Sequence, residues 1–509
     1  MKRFLKLTSL VLCIFASVTI FAFADNEAEG EIRPQIKISG FGETEALTDE
    51  NYKTYSTAKA GNSVIISCPE GIDSVYILYD QPTENTWTLT DTGSGKSVTC
   101  GEELFLHQFE DLKEIFGSAP AEVKLEFAEG DILADIYAFH GEHPDWVQIW
   151  KPCLKEADLL LLTTHADDEQ LFFAGLLPYY CMERKLDVQV VYFIQHFHKK
   201  HLVFNHDRQH ELLNGLWHVG VRNYPYISEF PDSFGSGDTP EDAMKVLMNS
   251  FRYYGYKYDD FQKFAVEIMR RFKPLVVVTH DFKGEYGHPA HCLNANVTTK
   301  AITLAQDASK YPESAEKYDT WAPQKVYVHL YNKNPIVMDW DTPYESMDGK
   351  TPFQMTQEGF GFHKSQHGYW FYRWIYGRGS NHITKATEIN TYSPCNYGLY
   401  YTSVGEDKAK NDMMENVYTY SQKRADKEAE EARRKAEEEA RQEAERKARE
   451  EEEQRRREAE AAEKAAREEA EAQRRRTRNT VIFIAAALII AVLILLCLRN
   501  AKKKNRLKE

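Results

Sequence analysis

"LLLLTTHADDEQLFF", residues 159–173, decides how the chain is read. Four leucines and two threonines without alternation predict a strand buried on both faces. The run stops at one histidine and three consecutive acids, then turns apolar again through Leu171, Phe172, Ala174, Leu176 and Leu177. That return predicts a helix packed on the strand, over about 169–184. His165, Asp167, Asp168 and Glu169 therefore fall at the turn from a strand's carboxyl end into a helix, where open α/β sheets bind ligands. Three adjacent carboxylates repel one another, so a bound cation is the natural compensation.

From about residue 142 apolar strands at 157–164, 187–194 ("DVQVVYFI") and 274–279 ("PLVVVT") alternate with helical stretches near 206–219, 259–272 and 288–305. This is βαβ organisation, with a parallel sheet expected. The third strand also ends in polar chemistry, "THDFKGEYGHPAH", residues 279–291. His288 and His291 are three apart at a helix start, so both can face one point. Two strand ends thus converge on one site.

Residues 33–141 read as all-β. "NSVIISC", "SVYILYD", "TWTLT", "EVKLEF" and "LADIYAF" are short strands between Gly, Pro and Asp clusters. A β-sandwich follows, similar in strand spacing to discoidin-type jelly rolls. It serves either to bind carbohydrate or, the preferred reading, as a packing module beside the second domain. "GSGKS" at 93–97 is no phosphate loop, because Thr90 stands where the first glycine is needed.

Both ends point to a membrane. Residues 1–24 have early positive charge, an apolar middle and small residues at Ala22 and Ala24, the pattern of a cleaved signal peptide. Near the other end "VIFIAAALIIAVLILLCL", 481–498, is uninterrupted by charge and rises about 27 Å as a helix, enough to span a bilayer. With a transmembrane helix over 479–498, the basic residues 499–509 would face the cytoplasm and the body would lie outside. Between body and span, within 406–478, residues 423–478 consist almost wholly of Glu, Arg, Lys, Ala and Gln. Opposite charges recur at three- and four-residue spacings, which predicts a solvated helical stalk of about 80 Å. It contains no Leu, Ile, Val or Phe, so a coiled-coil seam would rest on alanines alone. The net charge of −15 gives no reason to expect nucleic-acid binding. The six cysteines outside signal and span show no C-x-x-C spacing; Cys68 and Cys100 are a candidate disulfide.

Residues 142–405 resemble the PIG-L/LmbE-like zinc-dependent N-deacetylases. "HADDE" at 165–169 stands for that family's His-Pro-Asp-Asp-Glu turn, with Ala166 in place of proline, and "GHPAH" at 287–291 matches its second signature. Arg208 and Glu211 in "DRQHELLNGLWHVGV" supply its Arg-x-x-Glu helix. The resemblance implies an α/β Rossmann-like domain. It also implies one zinc ion held by His165, Asp168 and His291, with Asp167 as general base and His288 stabilising the oxyanion. Arg208 would bind substrate, and Glu169 and Glu211 would support from behind. The implied substrates are N-acetylglucosamine-type sugars on glycans or glycolipids. A protein that keeps the fold only to bind and display glycan is the alternative. Each motif also has a plainer reading: "HADDE" as a helix cap, Arg208 and Glu211 as a surface ion pair. The five histidines of 195–210 read as a polar loop over the site rather than a second metal centre. "YWFYRWIYG", 369–377, reads as core packing before sugar stacking.

Overall fold

The computed structural model describes residues 32–195, 206–232 and 239–505. The expected signal peptide and most of the histidine-rich stretch lie outside the described residues.

Residues 35–139 form one antiparallel, nearly closed β-barrel or sandwich. Its strand order is Ser97–Cys100, Trp87–Asp91, Glu122–Glu126, Ser56–Ser67, Ile132–Phe139, Ser74–Tyr79 and His107–Asp111, with Gln35–Phe41 beside Ser56–Ser67. The long strand Ser56–Ser67 joins both halves, pairing through Val64–Ser67 with Glu122–Leu125 and through Ser56–Thr57 with Ile132–Leu133. This lets the sheet curl over Val64, Ile66, Leu89, Val123, Leu125 and Ile136, all buried. "GSGKS" makes the turn between Trp87–Asp91 and Ser97–Cys100, closed by Asp91 N–H donating to Lys96 O at 2.9 Å. Cys68 and Cys100 are buried free thiols, not a disulfide.

The second sheet runs Tyr226–Ile227, Val188–Tyr192, Leu159–Thr163, Val276–Thr279, Lys325–His329, Asn396–Thr402, Pro335–Val337. The first five strands are parallel. Asn396–Thr402 and Pro335–Val337 join antiparallel, so the sheet is mixed rather than purely parallel. From Leu159–Thr163 the chain adds strands on one side, then crosses over to place Val276–Thr279 on the other. The topological switch point, where such sheets open a crevice, thus lies between the strands that lead into "HADDE" and "HDFKGEYGHPAH".

Helices His206–His218, Tyr258–Phe272 and Pro289–Leu304 stand where their apolar periodicity places them. The helix expected over 169–184 does not form. Residues 165–175 run as successive turns, followed by one α turn, Leu176–Pro178, and a π turn, Tyr179–Glu183. Leu171, Phe172, Phe173 and Ala174 are fully buried, so tertiary packing overrides helical propensity. At Gly175, with φ +86°, a Cβ would stand 2.4 Å from the Trp340 ring, which leaves room only for glycine. Helix Pro240–Tyr253, capped by Thr239, is an element beyond those expected from the sequence.

At the foot of the first strand, buried Asp158 accepts hydrogen bonds from Tyr420 N–H and the Ser421 hydroxyl, capping the helix that begins there. Helix Tyr420–Asn505 is continuous, so the expected stalk and span form one element. Residues 423–509 constitute a separate unit. Its surface carries i,i+4 pairs such as Arg441–Glu445 at 3.1 Å and Arg467–Glu463 at 2.7 Å. Its C-terminal part is exposed and apolar from Val481 to Leu498, and the helix is long and apolar enough to cross a membrane.

Candidate metal centre and active site

The "HADDE" turn separates two neighbouring carboxylates. Asp167 adopts φ 151°, which side-chain-bearing residues rarely do, and its N–H donates to Glu169 Oε2 at 3.0 Å. Asp168 folds back onto the turn, its Oδ2 accepting from His165 N–H at 2.7 Å. Asp167 points the other way, its Oδ1 3.4 Å from Arg208 Nη2.

Asp168 Oδ2, His165 Nδ1 and His291 Nε2 make a nearly equilateral triangle. Its edges are 3.2 Å from Asp168 to each histidine and 3.0 Å between the two rings. Three donors sharing a tetrahedral cation at about 2.0–2.2 Å stand roughly 3.3–3.6 Å apart, so this triangle need open by only a few tenths of an ångström. Two overlapping groups, His165/His288/His291 and Asp168/His280/His291, bring their donor atoms within 4.8 Å of one another. Two imidazoles and a carboxylate, buried together, fit a divalent cation.

Glu285, which lies outside the sequence motifs, organises the far side. Gly284 turns the chain at φ +70°, and a Cβ there would strike His288 O at 2.2 Å. Glu285 Oε2 then lies 2.6 Å from His291 Nδ1 and 3.1 Å from His280 Nδ1, while Oε1 accepts from Asp281 N–H and sits 2.9 Å from His329 Nδ1. Such a carboxylate–histidine pair fixes the ring that faces a metal. Asp232 Oδ1 stands likewise 3.4 Å from His165 Nε2. His280 directly follows the apolar strand "VVVT", a position that could have flagged it; His329 and Asp232 reach the centre only through the sheet order.

Charge compensation is unusually dense. Burial alone would raise Asp168, but His291, His165 and His280 hold it well below the carboxylate range. Burial would depress His165, yet Asp232 and Asp168 lift it to about 9. Asp167 is pushed up to about 7, chiefly by burial, with Arg208 opposing. His288 is held well below its ordinary value by burial and by the neighbouring His165 and His291. It occupies the N-cap of Pro289–Leu304, its Nδ1 buried without a hydrogen-bond partner among the described residues.

The supporting residues take separate places. Arg208 Nη2 donates to Ala166 O at 2.8 Å beside Asp167. Glu211 accepts from Ser365 N–H at 2.8 Å and the Ser365 hydroxyl at 2.6 Å, so it and Arg208 face different partners rather than pairing. Glu169 ties the turn to His363, 3.0 Å away. The aromatic run forms helix Trp370–Tyr376, which is not wholly core. Trp370 and Phe371 pack at 5.5 and 5.8 Å from Tyr286, whose ring lies 5.5 Å from His288, while Tyr369 and Trp370 are exposed. The run therefore walls one side of the site.

Residues 160–302 match the family model described as PIG-L: GlcNAc-PI de-N-acetylase. The chain is 27% identical over 182 residues to 1D-myo-inositol 2-acetamido-2-deoxy-alpha-D-glucopyranoside deacetylase 2 of Saccharopolyspora erythraea, covering 33% of this chain and 63% of that protein. It is 35% identical over 183 residues to the deacetylase of the same description from Rhodococcus erythropolis, covering 32% and 58%. The chain thus spans less than two thirds of these curated relatives. The solved N,N'-diacetylchitobiose deacetylase of Pyrococcus horikoshii aligns with 48% of this chain and 84% of its own, at 14% identity and a TM-score of 0.32. The matched segment, residues 160–302, holds both polar turns and every corner of the donor triangle, and it is this segment that carries the likeness to the PIG-L (LmbE-like) deacetylases.

Proposed function

We propose that the chain is a metal-dependent amidohydrolase that removes the acetyl group from N-acetylhexosamine-containing compounds, N-acetylglucosaminides above all. The C-terminal helix would hold it at a membrane with its body outside. The observation that carries the reading is the His165–Asp168–His291 triangle with the Asp167 carboxylate buried beside it and turned away from it.

The two histidines and the aspartate would hold the cation, and this nitrogen-rich donor set suits zinc. When bound, the cation supplies the positive charge that brings a water's pKa toward neutrality and polarises the acetamide carbonyl. Asp167, poised near neutral pH, takes the water's proton as the oxygen attacks. His288, held neutral, donates a hydrogen bond to the carbonyl oxygen as negative charge develops there. Asp167 then returns the proton to the departing amine, and acetate leaves. Arg208, beside Asp167 and 12% exposed, would hold sugar hydroxyls. Glu169 and Glu211 hold the surrounding backbone. The exposed rings of Tyr369 and Trp370 offer flat apolar faces for a sugar.

The test is acetate release by the full chain in detergent. Substrates are N-acetylglucosamine, N-acetylglucosaminyl-inositol and N,N'-diacetylchitobiose, before and after chelation and zinc replacement. Release that is lost on chelation and restored by zinc supports the reading. A metal-loaded chain that releases no acetate from any of the three contradicts it.

A further inference from the structure

The N-terminal β domain reaches the active site through one helix. His107, at the start of its strand His107–Asp111, is buried with Nε2 2.8 Å from His210 Nδ1. The other His107 nitrogen lies 2.9 Å from Gln148 Oε1, and the Gln148 amide donates to Asn214 Oδ1 at 2.6 Å. Tyr52 stacks on His210 with ring centroids 5.0 Å apart, and Lys53 pairs with Asp207 at 3.0 Å. Asp207, His210 and Asn214 are spaced i, i+3 and i+7, so they form one face of helix His206–His218. Arg208 and Glu211 stand about 100° further round, toward Asp167 and Ser365.

The two faces serve different partners, and the helix can satisfy both at only one rotation. Burial and His210 keep His107 uncharged, so the contact is a hydrogen bond to a neutral ring taken out of water. Such a bond is costly to leave half made. The strand Leu159–Thr163 fixes Asp167, whereas Arg208 reaches it from a separate helix, held by its bond to Ala166 O and by the rotation of that helix.

We propose that the β domain is a positioning device for the active site. His107, acting through His210, sets the rotation of helix His206–His218 and thereby the place of Arg208 beside Asp167. His107 touches no reacting atom; it is a positioning residue. The inference rests on Arg208 contacting substrate, as proposed above, and it gives the β domain a task that does not involve a ligand of its own.

A double-mutant cycle on the full chain tests it, reading acetate release, metal content and thermal midpoint for His107→Ala, Arg208→Ala and the pair. His107→Ala should lower kcat/KM by about tenfold or more with metal retained, the scale expected when a substrate-orienting group shifts by part of an ångström. In the Arg208→Ala background the same change should cost less than about twofold, because nothing remains to be positioned. His107→Gln, whose amide oxygen can accept from His210, should recover most of the activity. Where His107→Ala does not fold, Asn214→Ala removes the second grip and is read in the same cycle. Equal losses in both backgrounds, or activity untouched by His107→Ala and Asn214→Ala, overturn the inference. A silent Arg208→Ala overturns it as well. Wild-type acetate release and its dependence on metal test the proposed function separately.

Discussion

His291 Nδ1 and Glu285 Oε2 lie 2.6 Å apart, and both side chains are fully buried. One carboxylate therefore orients the ring whose opposite nitrogen faces Asp168 and His165, and it does the same for His280. Glu285→Gln keeps the size but removes the charge. Cation affinity should fall about 10- to 100-fold, read by competition with a chromophoric chelator. An unchanged affinity would mean that His291 is held by other contacts.

The buried Asp135 carboxyl in the β domain makes stability depend on pH. Burial, with Asp49 adding, pushes it up to about 7. The unfolded chain loses this proton near pH ~3.9, the folded chain near 7. Between those values the folded state binds more protons, so this group's contribution to stability falls as pH rises and levels off above about 7. Glu110, also raised to about 7 by burial, acts in the same direction. Thermal midpoints at about pH 5 and pH 8 should show Asp135→Asn gaining on the parent at the higher pH. A constant difference across that range would show that Asp135 is not the group responsible.

Trp370, 42% exposed and 5.5 Å from the Tyr286 ring, stands on the aromatic wall beside His288. Trp370→Ala should raise KM several-fold for any N-acetylglucosaminide the chain is found to hydrolyse, with kcat and metal content little changed, because stacking acts equally before and during reaction. A fall in kcat at constant KM would place Trp370 in the chemistry instead.

Asp158 is fully buried and accepts from Asp187 N–H at 3.1 Å as well as from Tyr420 and Ser421. Asp158→Ala leaves those donors without their acceptor and should cost about 1–3 kcal/mol. Chemical denaturation of the chain with its C-terminal helix intact would register the loss. No change in midpoint would show that the first helical turn is dispensable to the body.

How much of the molecule is legible in the chain follows from what each feature depends on. The strand Leu159–Thr163 and the "HADDE" turn were legible because an unalternating apolar run that ends in charge fits little besides a buried strand opening into a site. His288 and His291 were legible from their spacing, and Arg208 from the family motif. Asp232 and His329 were not, since the sheet order brings them in from separate segments; His280 and Glu285 lie within 279–291, but nothing local marks which polar side chains of that stretch turn inward. The missing helix after Glu169 has the same origin. The leucines and phenylalanines of 171–177 suit a helix, but burial on every side and the close approach of Trp340 to Gly175 make turns the better fit. The antiparallel strand Asn396–Thr402 was missed because nothing local distinguishes it from a parallel neighbour.

Asp167 and Asp168 are adjacent, yet only Asp168 joins the triangle, while Asp167 turns toward Arg208 through its unusual backbone. Their separation of roles is most directly tested by metal content and turnover of purified Asp167→Asn. The variant should retain about one zinc per chain, because no corner of the triangle changes. Its kcat should fall about 10²-fold or more, the scale of losing a general base. Asp168→Asn, measured alongside, should lose the metal. An Asp167→Asn protein that loses its zinc, or keeps parental kcat, would contradict the assignment.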